Sequence, residues 1–166
     1  KTKTKFHVAC IRRVVYALVK LNFRSNTESY LVIQEWERAP FLGDKLLRVM
    51  TSSFQRPNPK GFKIHAKAAG HYVNSILASQ EAKGLGYDEA LLLDMNDKVA
   101  EAPGANVFFE KDGTLFTPGL GNILPGITRA TVLELCDELN IPVKEKLFTK
   151  EDMYGADAAF FFCTAA

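Results

Sequence analysis

The chain has 166 residues, of which 47% are hydrophobic and 24% charged, and its 21 basic and 19 acidic side chains leave a formal charge of +2. This composition is typical of a globular domain and excludes a disordered tail, a collagen-like repeat and a coiled fibre. Because the charge is nearly balanced and no apolar run approaches the ~20 residues of a membrane helix, neither nucleic acid nor a membrane is expected as a partner.

The cysteines and the two ends of the chain bear on its origin. Cys10, Cys136 and Cys163 are widely spaced and form no C-x-x-C pair, which predicts neither a disulfide framework nor a zinc site and favours a reducing cytoplasm. The chain does not begin with Met and stops inside the apolar run AAFFFCTAA. We therefore expect it to be part of a longer polypeptide, incomplete at both ends.

Strands dominate the prediction for the first third of the chain. β-Branched and aromatic residues predict strands over 8–19, 30–36 and 47–54. The sequence then takes on a helical period, which predicts a helix over about 71–83, with Gly84 and Gly86 as C-terminal stops.

The second half is predicted to hold several short strands and one further helix. The strands cover 89–94, 98–102, 106–110, 114–118, 142–149 and the final AAFFFCTAA, with Lys111-Asp112-Gly113 as a hairpin turn. The helix begins just after Gly126, and Thr149 with Asp152 resembles a capping box for another, short helix. Since strands and helices do not alternate regularly, the pattern predicts an α/β domain with a mixed sheet.

Two charged residues stand where chemistry is possible. Lys67 lies between small residues in HAKAAG, so a bulky group could approach it, and partial burial would suit it to Schiff-base chemistry. Glu101 ends a predicted apolar strand in KVAEAPGAN. From the residues alone, a solvated lysine is the commoner interpretation of Lys67, and a solvent-facing charge is commoner for Glu101 than a buried partner for a cation.

The segment LPGITR points to an anion site. A Gly before a helix start, with a Thr in the first turn, offers backbone N–H groups and a hydroxyl at the positive end of the helix dipole, which suits a phosphate. An ordinary Gly turn is the alternative. Thr164 adds a hydroxyl among small residues. His65 and His71 lack metal-ligand spacing, and Gly119–Asn122 lacks a dinucleotide fingerprint.

Taken in order, seven segments resemble the fold-type IV, pyridoxal-phosphate-dependent aminotransferases, and the branched-chain amino acid aminotransferases most closely. They are SSFQRPNP, AKAAGHYVNS, GYDEALLLD, EAPGANVFF, LFTP, LPGITR and CTAA, within residues 52–166. The resemblance implies a mixed sheet curled into a pseudo-barrel with outer helices. It makes 1–166 the cofactor-binding catalytic domain, with 1–50 including the entry from a missing N-terminal domain.

The resemblance also implies roles for individual residues. Lys67 would hold pyridoxal 5'-phosphate covalently and move the proton of the reaction, Glu101 would bind the pyridine nitrogen, and Tyr72 would lie near the phenolic oxygen. The phosphate would be held by Ile127, Thr128 and Thr164. The Ala165 backbone would help bind the substrate carboxylate, and the remaining implied cofactor-binding residues are Arg56, Gly104, Leu124 and Gly126.

The chain departs from the family pattern at a few positions that would alter the shape of the pocket. Cys163 stands where the family usually has Gly, Ala69 and His71 stand where it often has Gly and Asn, and Ala102-Pro103 replaces a smaller pair. The chemical groups are all retained.

The expected function is transamination of Leu, Ile and Val with 2-oxoglutarate by a cytoplasmic homodimer or higher homo-oligomer whose partners are small amino acids and 2-oxo acids. The alternatives are a D-amino acid aminotransferase or aminodeoxychorismate lyase of the same fold, or a non-catalytic relative. Trp36 and Phe41 are candidates for the apolar side-chain pocket, although they are equally compatible with core aromatics.

Overall fold

The computed structural model describes residues 46–163 in full and, before them, the backbone of three strands. These are β1 (Phe6–Ala9), β2 (Arg13–Val19) and β3 (Leu31–Glu37). The single strand predicted over 8–19 is therefore wrong, since two strands occupy this region. The predicted roles of Thr164, Ala165 and Phe41, and that of the Trp36 side chain, lie outside the described residues.

The described chain continues with seven strands and two α-helices. The strands are β4 (Val49–Gln55), β5 (Glu89–Leu93), β6 (Val99–Glu101), β7 (Asn106–Lys111), β8 (Thr114–Thr117), β9 (Val143–Glu145) and β10 (Ala158–Phe162). The helices are α1 (Val73–Gly84), which follows a 3₁₀ turn (Ala69–Tyr72), and α2 (Ile127–Glu138). The helix predicted to begin after Gly126 is confirmed.

Two predictions near the C-terminal end are corrected. The strand expected over 142–149 is only the short β9, because the chain then turns to bury Phe148, whose carbonyl accepts a hydrogen bond from Val99 N at 2.9 Å. The Thr149–Asp152 capping contacts are present, with Thr149 N 2.7 Å from Asp152 Oδ2. Turns follow them instead of a helix, and Gly155, at φ +76, reverses the chain there.

A mixed sheet is the centre of the fold, as the sequence predicted. Its order is β1-β10-β7-β6-β5-β4, with β8 added to β7 and β9 to β8. The β1–β10, β4–β5 and β8–β9 pairs are parallel and the other pairs of this sheet antiparallel, while β2 and β3 form a separate antiparallel pair. Asp112 (φ 52) and Gly113 (φ 70) form the predicted β7–β8 turn, whose left-handed backbone both residue types tolerate.

Two hydrophobic clusters pack against the sheet and hold the elements of the fold in place. Val107, Phe109, Phe148 and Phe161 form the centre of one core cluster. Helix α1 covers the other end of the sheet through small residues, with Ala78 and Ala82 packed in one cluster with Ala90 and Leu92. Among the residues described, no helix is both long and apolar enough to cross a lipid bilayer.

Candidate functional site

A cavity of about 230 Å³ opens where the β6–β7 turn faces the start of α2. The segment that follows β4 and the last residues of β10 complete its walls. Its lining residues are Arg56, His65, Lys67, Tyr72, Glu101, Ala102, Pro103, Gly104, Ala105, Asn106, Leu124, Pro125, Gly126, Ile127, Thr128, Phe162 and Cys163. The cavity therefore brings together every described residue for which the sequence predicted a role in binding the cofactor.

Arg56 and Lys67 reach the cavity from the irregular segment between β4 and α1. Arg56 N donates to Leu93 O at 2.8 Å, which extends the alignment of β4 with β5 and turns the arginine side chain into the buried wall. Lys67 lies in a loop of short-range hydrogen bonds, such as Ala68 N to Ala66 O at 2.8 Å. Its side chain is exposed although it lines the cavity, which agrees with the solvated-lysine alternative that the residues alone left open.

Glu101 is buried, so the solvent-facing alternative for this residue is wrong. Donors surround its carboxylate. Leu124 N donates to Oε1 at 3.0 Å, Asn106 Nδ2 donates to Oε2 at 2.8 Å, and Arg56 Nε lies 2.9 Å from Oε1 as an ion pair without hydrogen-bond alignment. A carboxylate has more acceptor positions than these donors occupy, so it can accept a hydrogen bond from one further N–H or O–H group.

Burial and neighbouring charges act against each other on this carboxyl. Removal from water raises the pKa of Glu101 to about 7, while Arg56, the Leu124 amide, Arg129 and Lys67 lower it. Glu101 therefore changes charge near neutral pH in the chain as described. A further cation placed against the carboxylate would hold it ionised.

The start of α2 presents hydrogen-bond donors to the same cavity. Gly126 is the N-cap, and no side chain of the described residues caps the helix. The first backbone N–H groups of a helix have no partner within it, and they lie at the positive end of its dipole. Thr128 Oγ1 is also buried with no hydrogen-bond partner among the described residues. The start of α2 thus offers both backbone N–H groups and the Thr128 hydroxyl as donors to the cavity.

Some residues of the site were missed by sequence reasoning. Asn106, His65 and Phe162 line the cavity, and Asn106 is bound directly to Glu101. The signal for Asn106 is its position, because Glu101 and Asn106 flank the short EAPGAN turn and would face each other in a hairpin. His65 and Phe162 carry no comparable local signal.

Comparison with known proteins places the chain in a family. The model of the amino-transferase class IV family matches residues 6–166. The chain belongs to the class IV aminotransferases. A class IV aminotransferase similar to it is the branched-chain-amino-acid aminotransferase of Pseudomonas aeruginosa, 41% identical over 146 residues that cover 86% of this chain and 48% of that protein.

Solved structures of the family share the fold. The branched-chain aminotransferase of Thermoproteus uzoniensis with norvaline is 38% identical, with a TM-score of 0.80, over 93% of this chain and 53% of that one. The branched-chain amino acid aminotransferase of Thermobaculum terrenum in its PLP form is 36% identical, with a TM-score of 0.74, over 92% and 51%. The chain thus spans about half the length of these relatives.

Proposed function

We propose that this chain carries the cofactor-binding centre of a pyridoxal-phosphate-dependent branched-chain aminotransferase. The reaction is amino transfer from Leu, Ile or Val to 2-oxoglutarate, which yields a branched 2-oxo acid and glutamate. One observation carries the proposal: a single cavity holds a lysine, a buried carboxylate paired with an arginine, and an uncapped helix start with an unpartnered hydroxyl.

The donor set of the cavity fits pyridoxal phosphate. The unpartnered Thr128 Oγ1 and the first N–H groups of α2 suit the phosphate, and the buried carboxylate of Glu101 suits a protonated ring nitrogen. When bound, this cofactor supplies an electron sink for the pair left on an amino-acid Cα after its proton is removed. Leu124 and Gly104 would line the ring, and Tyr72 would lie near its phenolic oxygen.

Lys67 is the proposed catalytic residue. Its amine Nζ would bind the cofactor covalently. Once the substrate amine has released it, Nζ would take the proton from the substrate Cα and deliver it to C4′ of the cofactor. This requires the neutral amine, and its exposed place at the cavity leaves the approach open to an incoming amino acid. The neighbouring small residues, Ala66 and Ala68, leave room for this movement.

Glu101 would keep the proton on the ring nitrogen, and Arg56 together with the cationic ring would keep Glu101 ionised. The three donors around the carboxylate favour its charged form, and a cationic ring would add a fourth favourable interaction. Glu101 is already in place to keep the ring nitrogen protonated, and that positive charge would stabilise the electron pair left when the Cα proton is removed, without reorganisation of the protein.

Substrate binding involves residues beyond the described ones. We propose that the Ala165 backbone binds the substrate carboxylate and Thr164 the cofactor phosphate. We also propose that residues 1–166 form the catalytic domain of a cytoplasmic homodimer or larger homo-oligomer, as is expected of this family. The support is the family membership and the similarity to branched-chain aminotransferases.

The experiment is a substrate panel on the full-length protein supplied with pyridoxal phosphate. Amino transfer to 2-oxoglutarate is measured from Leu, Ile, Val and D-alanine, with lyase activity on aminodeoxychorismate assayed beside it. Since one methylene in an apolar pocket changes selectivity by only ~1–3 kcal/mol, the three branched amino acids should agree within about a hundredfold. Activity confined to D-alanine or aminodeoxychorismate would reject the branched-chain assignment, and no activity would favour a non-catalytic relative.

A further inference from the structure

Asn106 links two parts of the cavity that the proposed function uses separately. It begins β7, is buried, and is paired in register with Glu101 of β6. Its Nδ2 donates to Glu101 Oε2 at 2.8 Å and to Leu124 O at 3.0 Å, so both amide hydrogens are used. Since Leu124 N donates to Glu101 Oε1 at 3.0 Å, these three residues close a ring of hydrogen bonds.

The other end of the Asn106 amide faces the N-cap of α2. A Cβ placed on Gly126 would lie 2.1 Å from Asn106 Oδ1, far inside van der Waals contact. Gly126 has φ −68 and ψ 138, a backbone conformation open to any residue. Glycine is therefore required at the helix start for space, and Asn106 is what occupies that space.

We propose that Asn106 is a positioning residue that holds the carboxylate of Glu101 and the start of α2 in one fixed arrangement. The inference rests on the proposed function, because it concerns the distance between Glu101, which would bind the ring nitrogen, and the start of α2, which would bind the phosphate of the same cofactor. Asn106 does so with one side chain, through Nδ2 at the first end and through the contact of Oδ1 with Gly126 at the second.

The hydrogen-bond pattern also assigns the two oxygens of Glu101 different tasks. Oε1 faces both Leu124 N and Arg56 Nε, whereas the described residues give Oε2 a single donor, Asn106 Nδ2. A carboxylate oxygen has room for about two donors. Oε2 is therefore the oxygen with a place left for a ring N–H, and Asn106 sets its orientation.

The first test compares Asn106→Ala with the wild-type full-length holoenzyme. Loss of the amide leaves buried oxygens without donors, so pyridoxal phosphate should bind about tenfold more weakly. The value of kcat should fall several-fold with a smaller change in KM. Because a donor to the carboxylate is removed, the pKa of Glu101 rises and the acid limb of the kcat profile should move to higher pH. Unchanged affinity and an unchanged pH profile would overturn the proposal.

The second test uses the contact between Asn106 and Gly126. In the wild type, Gly126→Ala should weaken pyridoxal phosphate binding about tenfold or more, because the new methyl group displaces Asn106 or the helix start. In the Asn106→Ala background the same substitution should have a much smaller effect, since the obstructing oxygen is gone. Equal effects of Gly126→Ala in both backgrounds would overturn the proposal.

A matched control and a second readout separate this inference from the proposed function. Gly119→Ala lies in the same segment before α2, where an added Cβ meets nothing within 4 Å, so its effect should be additive with Asn106→Ala. The coupling is measured by pyridoxal phosphate affinity and by the free energy of unfolding of the cofactor-free protein. If Asn106→Ala does not fold, Asn106→Ser is used for the same comparisons.

The two possible failures have different results. A wild-type protein that binds no pyridoxal phosphate rejects the proposed function and this positioning role with it. A wild-type protein that binds the cofactor and transaminates, but whose Asn106 and Gly126 substitutions are additive, rejects only the role of Asn106.

Discussion

Arg56 Nε lies 2.9 Å from Glu101 Oε1, and each side chain is only 6% exposed. Such a pair contributes little net stability when intact, because both charges have lost their water, but removal of one partner leaves the other charge uncompensated. The pair thus makes the ionisation of Glu101 dependent on a residue that follows a different strand.

Replacement of Arg56 should therefore destabilise the protein in a pH-dependent way. Arg56→Met should lower the free energy of unfolding by about 3 kcal/mol at pH 8, where Glu101 would either stay a buried unpaired anion or take up a proton against the solution pH. The loss should be smaller at pH 5, where the carboxyl takes up a proton. Urea unfolding at the two pH values measures this. Arg48→Met is the control, because the Arg48 side chain is 72% exposed and its ion pair with Asp88 should contribute no more than about 1 kcal/mol at either pH.

The raised pKa of Glu101 predicts a pH dependence of stability in the cofactor-free protein. The pKa of Glu101 is about 7 in the folded protein against 4.5 in the unfolded chain, so between these two values the folded state keeps a proton that the unfolded state releases. The contribution of Glu101 to stability is therefore present below pH 4.5 and is lost as the pH rises through 7. Glu101→Gln should lack this decline, and the difference between wild type and variant isolates it. Parallel pH curves would contradict the shift.

The same substitution should affect catalysis more than cofactor binding. Glu101→Gln keeps the size of the side chain but removes the negative charge that would hold a proton on the ring nitrogen. We expect cofactor to be retained and kcat to fall by ~100-fold or more, with KM much less changed. Steady-state kinetics on the full-length protein measure both quantities. An unchanged rate would remove Glu101 from the mechanism.

Lys67→Ala should abolish covalent attachment of pyridoxal phosphate and all transamination. Because the side chain is exposed and lies in a loop, the fold and the thermal unfolding temperature should stay close to those of the wild type. Borohydride reduction followed by peptide mapping identifies the modified lysine in the wild type. Lys63→Ala, in the same loop, is the matched control and should keep the modification. Modification at Lys60 or Lys63 would show that Lys67 was assigned wrongly.

Thr128→Val should weaken pyridoxal phosphate binding about tenfold, since one buried hydroxyl donor to the phosphate is worth about 1.4 kcal/mol. Equilibrium titration of the cofactor-free protein gives the two dissociation constants. Thr131→Val serves as control, because Thr131 lies one turn later on α2, is exposed, and its Oγ1 donates to Ile127 O at 3.2 Å instead of facing the cavity. A phosphate found at Gly119–Asn122 would contradict the assignment to the helix start.

Local features of the chain were predictable from the sequence because short-range sterics and capping determine them. The Asp112–Gly113 turn is of this kind, since it depends on a left-handed backbone that both of these residue types tolerate. Resemblance over several ordered segments indicated the family, which the family match then confirmed.

Other features depend on contacts between residues far apart in the chain, and only the tertiary structure decided them. The strand expected over 142–149 is short because Phe148 is drawn into a core built by other strands. The capping contacts of Thr149 and Asp152 are as predicted, yet no helix follows them. Periodicity records the preference of a segment for a conformation, whereas burial against the rest of the sheet can outweigh that preference.

The environment of Glu101 shows the same division most clearly. By itself a glutamate at a strand end is more often solvated, and its sequence neighbours are small and carry no charge. The sheet order brings Arg56, Leu124 and Asn106 to its carboxylate from three separate segments. Charge, burial and proton affinity are properties of that assembled environment, because desolvation and Coulomb forces act through space and not along the chain. The sequence therefore determines which acid stands at this position, and the fold determines the burial, charge and proton affinity of that acid.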